Sequence, residues 1–565
     1  MRRLTAALVA ALVLLTPAAA QAGGPVGPAH NPVSASFADT FADPMVVRGD
    51  DGFWYAYATT DPLREGEKVA HRIPTARSKD LKHWAYVGDA FGPGQRPAFA
   101  AENTAYWAPD VRKVGTHWVM YVTVTETTVA PGASAIGAAT APTPAGPWTF
   151  VDTPVVAPRP SGDGGWWWTF DPAQLVTPDG RKFLYYGSYF GGIWVSRLTA
   201  DGLRTVGTPT RVAIDNKFEG AYVVRRNGWY YLFASSANCC AGPTTGYSVS
   251  AGRSRDPRGP FVDKLGQSLN VSRAGGTPVI APNGNRWVGT GHNGLVTDAR
   301  GQDWLVYHAI DRGDPYLDEP FGINERPMLV DRLDWIGGWP TVRAGAWASD
   351  GRDSGTAREP RPGRPLAAYS DEFGGSAPGW TWVRPDPAVT ISGGQLRWPV
   401  QNADLTGTSN NAGVLLRTPP PGSWIAETKL TLPLGEDTVR NYQQAGLIAY
   451  AGDDQFARLS AVAIWNTRQV EFGHEIPYAG ITSYGGTIAG TPGLTTTWLR
   501  LAHHVDPRNG EHEYRAGVSR DGRTWTWSGV WTLPADTTPR IGLVAHGGAT
   551  PAVTASFDYL RFSRW

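Results

Sequence analysis

The sequence predicts an all-β protein of two domains, a five-bladed β-propeller followed by a β-sandwich. An aromatic run recurs five times in residues 37–347, and residues 367–565 alternate apolar and polar positions in many short segments. Sustained 3.6-residue periodicity is missing, and Gly and Pro are abundant, with 68 and 46 of 565 residues. Residues 348–366, rich in Gly, Pro, Arg and Asp, are the predicted linker. The sandwich is expected to be of jelly-roll or concanavalin-like type.

Residues 1–22 predict a secretory signal peptide. Two basic residues, Arg2 and Arg3, precede an apolar run from Leu4 to Leu15, and small residues at Ala20 and Ala22 have cleavage spacing. The apolar run is too short to span a bilayer. The mature chain is therefore expected to be secreted and extracellular.

Charge and cysteine content exclude several classes of function. The 51 basic and 50 acidic residues balance, so neither nucleic acid nor a membrane surface is an expected partner. The 25 Trp residues suit crowded β cores and also sites that stack on sugars. The two cysteines, Cys239 and Cys240, are adjacent, with Cα atoms ~3.8 Å apart against a usual disulfide span of roughly 4.4–6.8 Å. A strained vicinal disulfide and two packed thiols both stay open.

The five aromatic runs predict one strand in each propeller blade. Their first residues lie 46 to 75 residues apart, and each run follows a polar or Gly-containing turn. Uneven spacing is typical of blades with variable loops. The runs are Trp54–Tyr57, Trp118–Tyr121, Phe183–Tyr186, Trp229–Leu232 and Trp304–Tyr307.

One polar residue precedes each predicted strand by 8 to 12 positions. These residues are Asp43, Asp110, Asp171, Glu219 and His292. Because equivalent positions of successive blades lie on a ring, the five side chains are expected to converge on the central channel. For any one of them the alternative is an ordinary turn residue, as in Asp-Pro.

Four of these side chains are carboxylates, and three of them, Asp43, Asp171 and Glu219, suit glycoside hydrolysis. That reaction needs an acid for the leaving oxygen and a base for water. Close carboxylates do not all ionise freely, so one should hold a proton near neutral pH. Glu219, among aromatic neighbours, is the expected acid, Asp43 the base, and Asp171 the group that holds Glu219 and keeps its pKa high. Trp107 and Trp168 are candidate stacking walls for sugar.

The first and last segments of the sandwich each carry an acid, Asp371 and Asp558. Terminal strands of such sandwiches often pair, so these two carboxylates are candidate ligands for one Ca²⁺. Two solvated edge carboxylates are the alternative.

Four motifs make the chain resemble glycoside hydrolase family 43, whose members are five-bladed propellers acting on arabinan and xylan. The motifs are Ala42-Asp43-Pro44, Trp107-Ala108-Pro109-Asp110-Val111, Phe170-Asp171-Pro172 and Phe218-Glu219-Gly220. The resemblance covers about residues 37–345. It implies inversion of configuration with Asp43 as base, Glu219 as acid and Asp171 as the residue that tunes the acid. It also implies chemistry without a cofactor, and a structural role for Asp110.

Three further segments resemble the arabinan-cleaving branch of the family. They are Cys239-Cys240-Ala241-Gly242-Pro243, Gly291-His292-Asn293 and Glu325-Arg326-Pro327. The resemblance implies that His292 helps to hold a channel cation through water and that Arg326 reaches the acid and the sugar. A core histidine is the alternative for His292. The sandwich resembles those appended to family xylosidases and arabinofuranosidases, where one loop can close the site.

The sequence therefore predicts a secreted inverting glycosidase that cleaves α-L-arabinofuranosyl linkages, with arabinan as the expected plant cell-wall substrate and endo action as the expected mode. One alternative is an exo-acting arabinofuranosidase or a β-xylosidase on arabinoxylan or xylan. An alternative of another class is a carbohydrate-binding propeller without activity, although a lectin would not need the Asp43 and Glu219 pair.

Overall fold

A computed structural model describes residues 30–318, 322–351, 359–375, 378–436 and 438–565. The predicted signal peptide lies outside the described residues. The described part is built from β-strands, with three short 3-10 helices at Gly242–Thr244, Arg343–Gly345 and Ala367–Tyr369. None of its helices has the length and apolar character to cross a membrane.

The N-terminal domain consists of five four-stranded antiparallel sheets, each following the chain order. The first has β1 (Met45–Arg48), β2 (Trp54–Tyr57), β3 (Pro74–Ser78) and β4 (Trp84–Asp89), and the second has β5 (Tyr106–Val114), β6 (His117–Val124), β7 (Ala135–Ala141) and β8 (Thr149–Phe150). A ribbon of β9 (Arg159–Pro160) and β10 (Trp166–Trp167) precedes the third, which has β11 (Ala173–Val176), β12 (Lys182–Ser188), β13 (Gly192–Leu198) and β14 (Thr205–Ala213). The fourth has β15 (Phe218–Arg226), β16 (Trp229–Ser236), β17 (Ser248–Ser254) and β18 (Thr277–Ile280), and the fifth has β19 (Trp287–Thr297), β20 (Asp303–Asp311), β21 (Met328–Ile336) and β22 (Trp339–Val342).

The five sheets close into a propeller. The first strands of the blades contact one another around the axis, and β1 contacts both β5 and β19. The chain before β1 is bonded to the fifth blade, where Val33 N donates to Met328 O and Phe41 N to Arg326 O, both at 2.9 Å.

The five aromatic runs are the second strands of the five blades, as the sequence predicts. Each is preceded by a tight turn with a glycine at φ between 63° and 83°. Glycine adopts this left-handed region without steric cost, which explains its recurrence before each run. These glycines are Gly52, Gly115, Gly180, Gly228 and Gly301.

The C-terminal domain is a β-sandwich of a seven-stranded and an eight-stranded sheet. Its strands are β23 (Thr381–Val383), β24 (Thr390–Ser392), β25 (Gln395–Pro399), β26 (Leu405–Thr406), β27 (Ser409–Asn410), β28 (Val414–Arg417), β29 (Trp424–Thr431), β30 (Arg440–Gly452), β31 (Gln455–Trp465), β32 (Thr467–Tyr478), β33 (Ile481–Gly490), β34 (Thr496–Val505), β35 (His512–Ser519), β36 (Trp525–Leu533), β37 (Arg540–His546), β38 (Thr554–Phe557) and β39 (Arg561–Arg564). The inner faces bury one large core that includes Trp398, Trp424 and Phe472. Burial of this apolar surface is the main stabilising term of the domain.

The segment between the domains is packed at both described ends. Ala348 is buried in the propeller core, and Leu366 is buried in the sandwich core. Residues 352–358 of the predicted linker lie outside the described residues. The first and last segments of the sandwich pair, since Asp371 N donates to Leu560 O at 2.8 Å and Leu560 N donates to Asp371 O at 2.9 Å.

The sandwich lies directly against the propeller. Backbones touch at Gly246 and Gly486, because a Cβ added at Gly246 would lie 1.8 Å from Gly486 O. Val530 N donates to Pro282 O at 2.8 Å. The contact places the sheet formed by β30 to β33 beside the fourth blade, next to the channel mouth.

Candidate active site

Each blade has a residue in the left-handed region just before its first strand or within it. This conformation is uncommon outside glycine and clusters at functional sites. In blades two, four and five it coincides with a shift of strand register. The residues and φ angles are Asp43 (52°), Ala108 (45°), Asp171 (54°), Gly220 (57°) and His292 (46°).

A belt of hydrogen bonds links these residues from blade to blade. A side chain near the end of one blade's second strand accepts the backbone N–H of the left-handed residue in the next blade. These pairs are Thr59 with Ala108 (3.0 Å), Thr123 with Asp171 (3.1 Å), Ser235 with His292 (3.0 Å) and His308 with Asp43 (3.1 Å). The third blade differs, because Ser188 Oγ donates to Glu219 Oε2 at 3.0 Å.

Asp43 is held in its charged form. Thr59 Oγ1 donates to its Oδ2 at 2.5 Å, and the Arg326 guanidinium and the His292 ring each lie 3.4 Å from its Oδ1. Burial alone would raise the pKa of Asp43, but Arg326 and then His292 outweigh burial and hold the pKa well below its usual value. An ionised carboxylate in this position is suited to accept a proton.

His308 is a fully buried partner of Asp43. Burial lowers the pKa of His308 to about 4, so the ring is neutral at pH 7. Because the Asp43 N–H donates to Nδ1, the ring hydrogen is on Nε2. The ring stacks on Tyr247, with 5.7 Å between centroids. The contact of His308 with Asp43 is therefore a hydrogen bond and not an ion pair.

Glu219 and Asp171 form a pair of enclosed carboxylates. Gly220 N donates to Asp171 Oδ2 at 3.0 Å, which ties Asp171 to the residue after Glu219. Burial raises the pKa of Asp171 well above its usual value, and the charges of Glu219 and Asp43 add to this. Burial also raises the pKa of Glu219, against the hydrogen bonds from Tyr247 and Ser188. Two close carboxylates of this kind retain a proton at a pH where isolated ones lose it.

Arg326 connects Asp43 to a further acid, Asp61. Its guanidinium lies 3.5 Å from Asp61 Oδ2. Burial raises the pKa of Asp61 to about 6, although Arg326 opposes the rise. The sequence predicts that Arg326 reaches the acid and the sugar, but its closest carboxylate contacts are Asp43 and Asp61.

The Asp110 carboxylate does not lie with the other channel side chains, so the prediction that it belongs to the ring is wrong. Its carboxylate bonds Arg112 at 2.8 Å and accepts Gln174 N at 2.8 Å, which fixes the second blade to the third. The left-handed position of this blade is Ala108, two residues earlier. The strand shift between Trp107 and Asp110 explains why sequence spacing selects the wrong residue.

Aromatic side chains extend from the channel mouth along one rim. Trp107 and Trp168 are 39% and 40% exposed, and both contact Phe170. Phe190 continues the row, 4.6 Å from Trp168 between centroids. Exposed aromatic faces of this kind are unusual at a protein surface unless they bind something.

The residues expected to bind metal ions, Asp371, Asp558 and His292, do not all have surroundings that suit this role. Asp558 accepts bonds from Lys429 and Gln395, and Asp371 accepts the Trp380 indole N–H, so these two carboxylates do not fit a shared Ca²⁺. Within the described ranges no cluster of three or more His, Cys, Asp or Glu is suited to a metal.

The surroundings of His292 are suited to ordered water, through which the expected cation would be held. Next to it, both side-chain polar atoms of buried Asn293 lack a protein partner, and so does His308 Nε2. Buried polar atoms normally have a partner, and ordered water is the usual one when protein is absent.

A cavity of about 670 Å³ lies between the aromatic rim and the sandwich. Glu219, Trp168 and Phe190 line it from the propeller, and Tyr442 and Glu471 line it from the sandwich. Cys239, which also lines the cavity, forms a disulfide with Cys240, so the alternative left open by the sequence resolves to a vicinal disulfide.

Several residues of this site were missed by sequence reasoning. Thr59, Ser188 and His308 lie four or five positions after the first aromatic of their blade's run, so the same repeat could have found them. Tyr247 and the sandwich residues Tyr442 and Glu471 carry no comparable signal, because they come from unrelated parts of the chain.

Comparison with known proteins agrees with this geometry. The profile described as Glycosyl hydrolases family 43 matches residues 29–340. The chain belongs to glycosyl hydrolase family 43. It is thus a glycosidase, as the sequence predicts.

Relatives of this family 43 glycosidase match it over the propeller. The extracellular exo-alpha-(1->5)-L-arabinofuranosidase ArbA of Cellvibrio japonicus is 30% identical over an alignment of 325 residues, which covers 53% of this chain and 85% of the relative. The probable arabinan endo-1,5-alpha-L-arabinosidase A of Aspergillus flavus is 30% identical, over 55% of this chain and 93% of the relative. The solved structure of Cellvibrio cellulosa alpha-L-arabinanase with arabinohexaose is 28% identical, covers 54% of this chain and 96% of that one, and has a TM-score of 0.46.

Proposed function

We propose that this protein is a secreted inverting glycosidase that hydrolyses α-L-arabinofuranosyl linkages of arabinan. The observation that carries the proposal is the opposite direction of the pKa shifts among its buried channel carboxylates, lowered for Asp43 and raised for Glu219 and Asp171. An acid and a base with separated pKa values are what hydrolysis of a glycosidic bond requires. The choice of arabinan is supported by the names of the two relatives.

In the proposed reaction Asp43 is the general base. Its carboxylate takes a proton from a water molecule as that water attacks the anomeric carbon of the sugar. Arg326 and Thr59 keep the carboxylate charged and fixed in direction. The attack comes from the face opposite the leaving group, so the configuration inverts.

Glu219 is the proposed general acid. It gives its proton to the glycosidic oxygen while the bond to the anomeric carbon breaks, and the leaving sugar departs as an alcohol. Asp171, whose carboxylate accepts the N–H of the residue after Glu219, is the proposed residue that positions and tunes the acid. No cofactor takes part in these proton transfers.

Substrate contacts are proposed for Trp107, Trp168 and Arg326. The two indoles offer exposed faces for sugar stacking. His292, beside the unpartnered amide of Asn293, would hold a hydrated cation below the sugar, and such an ion would add positive charge near the substrate hydroxyls.

The test is a substrate panel with the purified full chain. Release of arabinose or short arabino-oligosaccharides from debranched arabinan is the expected result. Xylose from xylobiose with arabinan untouched would overturn the choice of substrate and favour the xylosidase alternative. Sugar binding without turnover on arabinan, xylan and aryl glycosides would favour the non-catalytic alternative.

Export is part of the same proposal. The signal-type N-terminus supports it, and so does the word extracellular in the name of the Cellvibrio japonicus relative. Recovery of active protein from the culture medium of a native host would test it, and retention of all activity inside cells would contradict it.

A further inference from the structure

The cavity beside the acid belongs to the leaving group. In the part of the chain that the structure describes, Glu219 lines this cavity but Asp43 and Asp171 do not. Since the acid contacts the glycosidic oxygen and the base lies on the other face of the sugar, space reached from the acid alone is where the leaving sugar extends. Its volume of about 670 Å³ is in the range of small-ligand sites.

One wall of the cavity is an aromatic side chain of the sandwich. Tyr442 is 48% exposed and has φ of 62°, within a register shift of β30 between Asn441 and Gln444. A bulky residue in the left-handed region is strained, and such strain clusters at ligand sites. The backbone of Gly547 holds it there, because a Cβ at Gly547 would lie 1.8 Å from Tyr442 O.

The sandwich side of the cavity also carries the carboxylate of Glu471, whose orientation is fixed by a hydrogen bond. Tyr484 Oη donates to Glu471 Oε2 at 2.9 Å, and Arg458 Nη2 donates to Tyr484 Oη at 2.9 Å. No described protein donor is bonded to the other oxygen, Oε1, and that oxygen is not sealed from solvent. A fixed carboxylate with one open oxygen is a strong acceptor for a sugar hydroxyl.

Tyr189 interacts with groups on both sides of the cavity. It lines the cavity from the propeller, and burial raises the pKa of its hydroxyl, with further contributions from Tyr442, Glu471 and Glu219. The electrostatic effects of groups from both domains therefore reach the Tyr189 hydroxyl. Such effects are strong only at short distance, so these groups lie near one another.

The sandwich wall is fixed relative to the acid. Asn466, in the turn between β31 and β32, donates to Asp215 Oδ1 at 3.0 Å and accepts from Asn216 Nδ2 at 2.8 Å, three and four residues before Glu219. Ser272 Oγ donates to Asn466 O at 2.6 Å. The wall therefore does not depend on a mobile loop to reach the site.

We propose that Tyr442 and Glu471 form the binding site for the leaving-group sugar, with Tyr442 stacking on its ring and Glu471 Oε1 accepting one of its hydroxyls. The inference rests on the proposed function and assigns its leaving-group side to the sandwich domain. This binding site accepts a short, neutral arabinofuranosyl leaving group, because Trp168 and Phe190 form the opposite wall of the cavity. Specificity of this kind is strong, since a sugar without the hydroxyl would leave the carboxylate unpaired.

The experiment compares two substrates with the same glycone, arabinobiose and 4-nitrophenyl α-L-arabinofuranoside, whose leaving group has no sugar hydroxyl. Glu471→Gln is expected to lower kcat/KM on arabinobiose by about tenfold or more and to change it on the aryl glycoside by less than about twofold. Tyr442→Ala is expected to lower kcat/KM on arabinobiose by about tenfold or more. Tyr442→Phe, which keeps the ring, should retain activity on both. The matched control is Glu427→Gln, in the other sheet, where the carboxylate likewise accepts a tyrosine hydroxyl, that of Tyr559 (2.7 Å), and the change should alter neither substrate.

Equal losses for Glu471→Gln on both substrates, or no loss on arabinobiose for either variant, would overturn the inference. A wild-type chain that cleaves no arabinofuranoside would instead overturn the proposed function, and the inference with it. Thermal unfolding of each variant checks folding. If Glu471→Gln does not fold, the split between Tyr442→Ala and Tyr442→Phe decides.

Discussion

Removal of the positive charge beside the proposed base should move the pH dependence of catalysis. Arg326 Nη1 lies 3.4 Å from Asp43 Oδ1. Two unit charges about 4 Å apart attract by roughly 4 kcal/mol at an effective dielectric constant of about 20. Asp61 shares the same guanidinium at 3.5 Å, so Asp43 receives only part of this. The contribution is still large enough to decide whether Asp43 is ionised.

The variant is Arg326→Gln, and the assay is kcat/KM against pH on arabino-oligosaccharides. Arg326 lowers the pKa of Asp43, so its loss raises that pKa and the base becomes protonated at higher pH. The acidic limb of the profile should move up by roughly one to three pH units. Activity should recover in part above the new limb.

The control is Arg332→Gln, in the same blade, whose guanidinium is half exposed and bonds Asp334. It should leave the profile unchanged. A fall in rate at every pH with an unmoved acidic limb would refute the reasoning, because Arg326 would then serve only to bind substrate.

Three further predictions follow from the same geometry. Glu219→Gln should lower kcat on arabinan by about 10²–10⁴-fold or more with an unchanged unfolding temperature, and wild-type turnover would refute its role as acid. Gly246→Ala should destabilise the docked domains by about 1–3 kcal/mol in thermal unfolding, because its Cβ would meet Gly486 O, whereas Gly374→Ala, with open space around it, should not. Trp168→Ala should raise KM for arabinan by roughly tenfold at nearly constant kcat, and an unchanged KM would show that this indole does not stack on the substrate.

The repeating part of the fold could be predicted from the sequence because each blade repeats one physical pattern. A glycine turn followed by an aromatic run marks every second strand, and the polar residue before it led to Asp43, Asp171 and Glu219. The pattern failed at Asp110, where a strand shift moves the equivalent position to Ala108.

Contacts between distant segments could not be predicted in this way. His308 meets Asp43 only because the ring closes between the last and first blades. Glu471 shares a cavity with Glu219 only because the sandwich docks on the fourth blade. Neither closure nor docking leaves a local periodic signal, so these residues are found only once the fold is known.

Inversion at an arabinofuranosyl centre is the central claim, and the anomer of the first product tests it most directly. The measurement is proton NMR of wild-type protein acting on debranched arabinan, recorded before the products equilibrate between anomers. The account predicts that the β anomer of the new reducing end appears first and that the α anomer grows in later. An α anomer that appears first would contradict it, because Asp43 would then have to act as a nucleophile and not as a base.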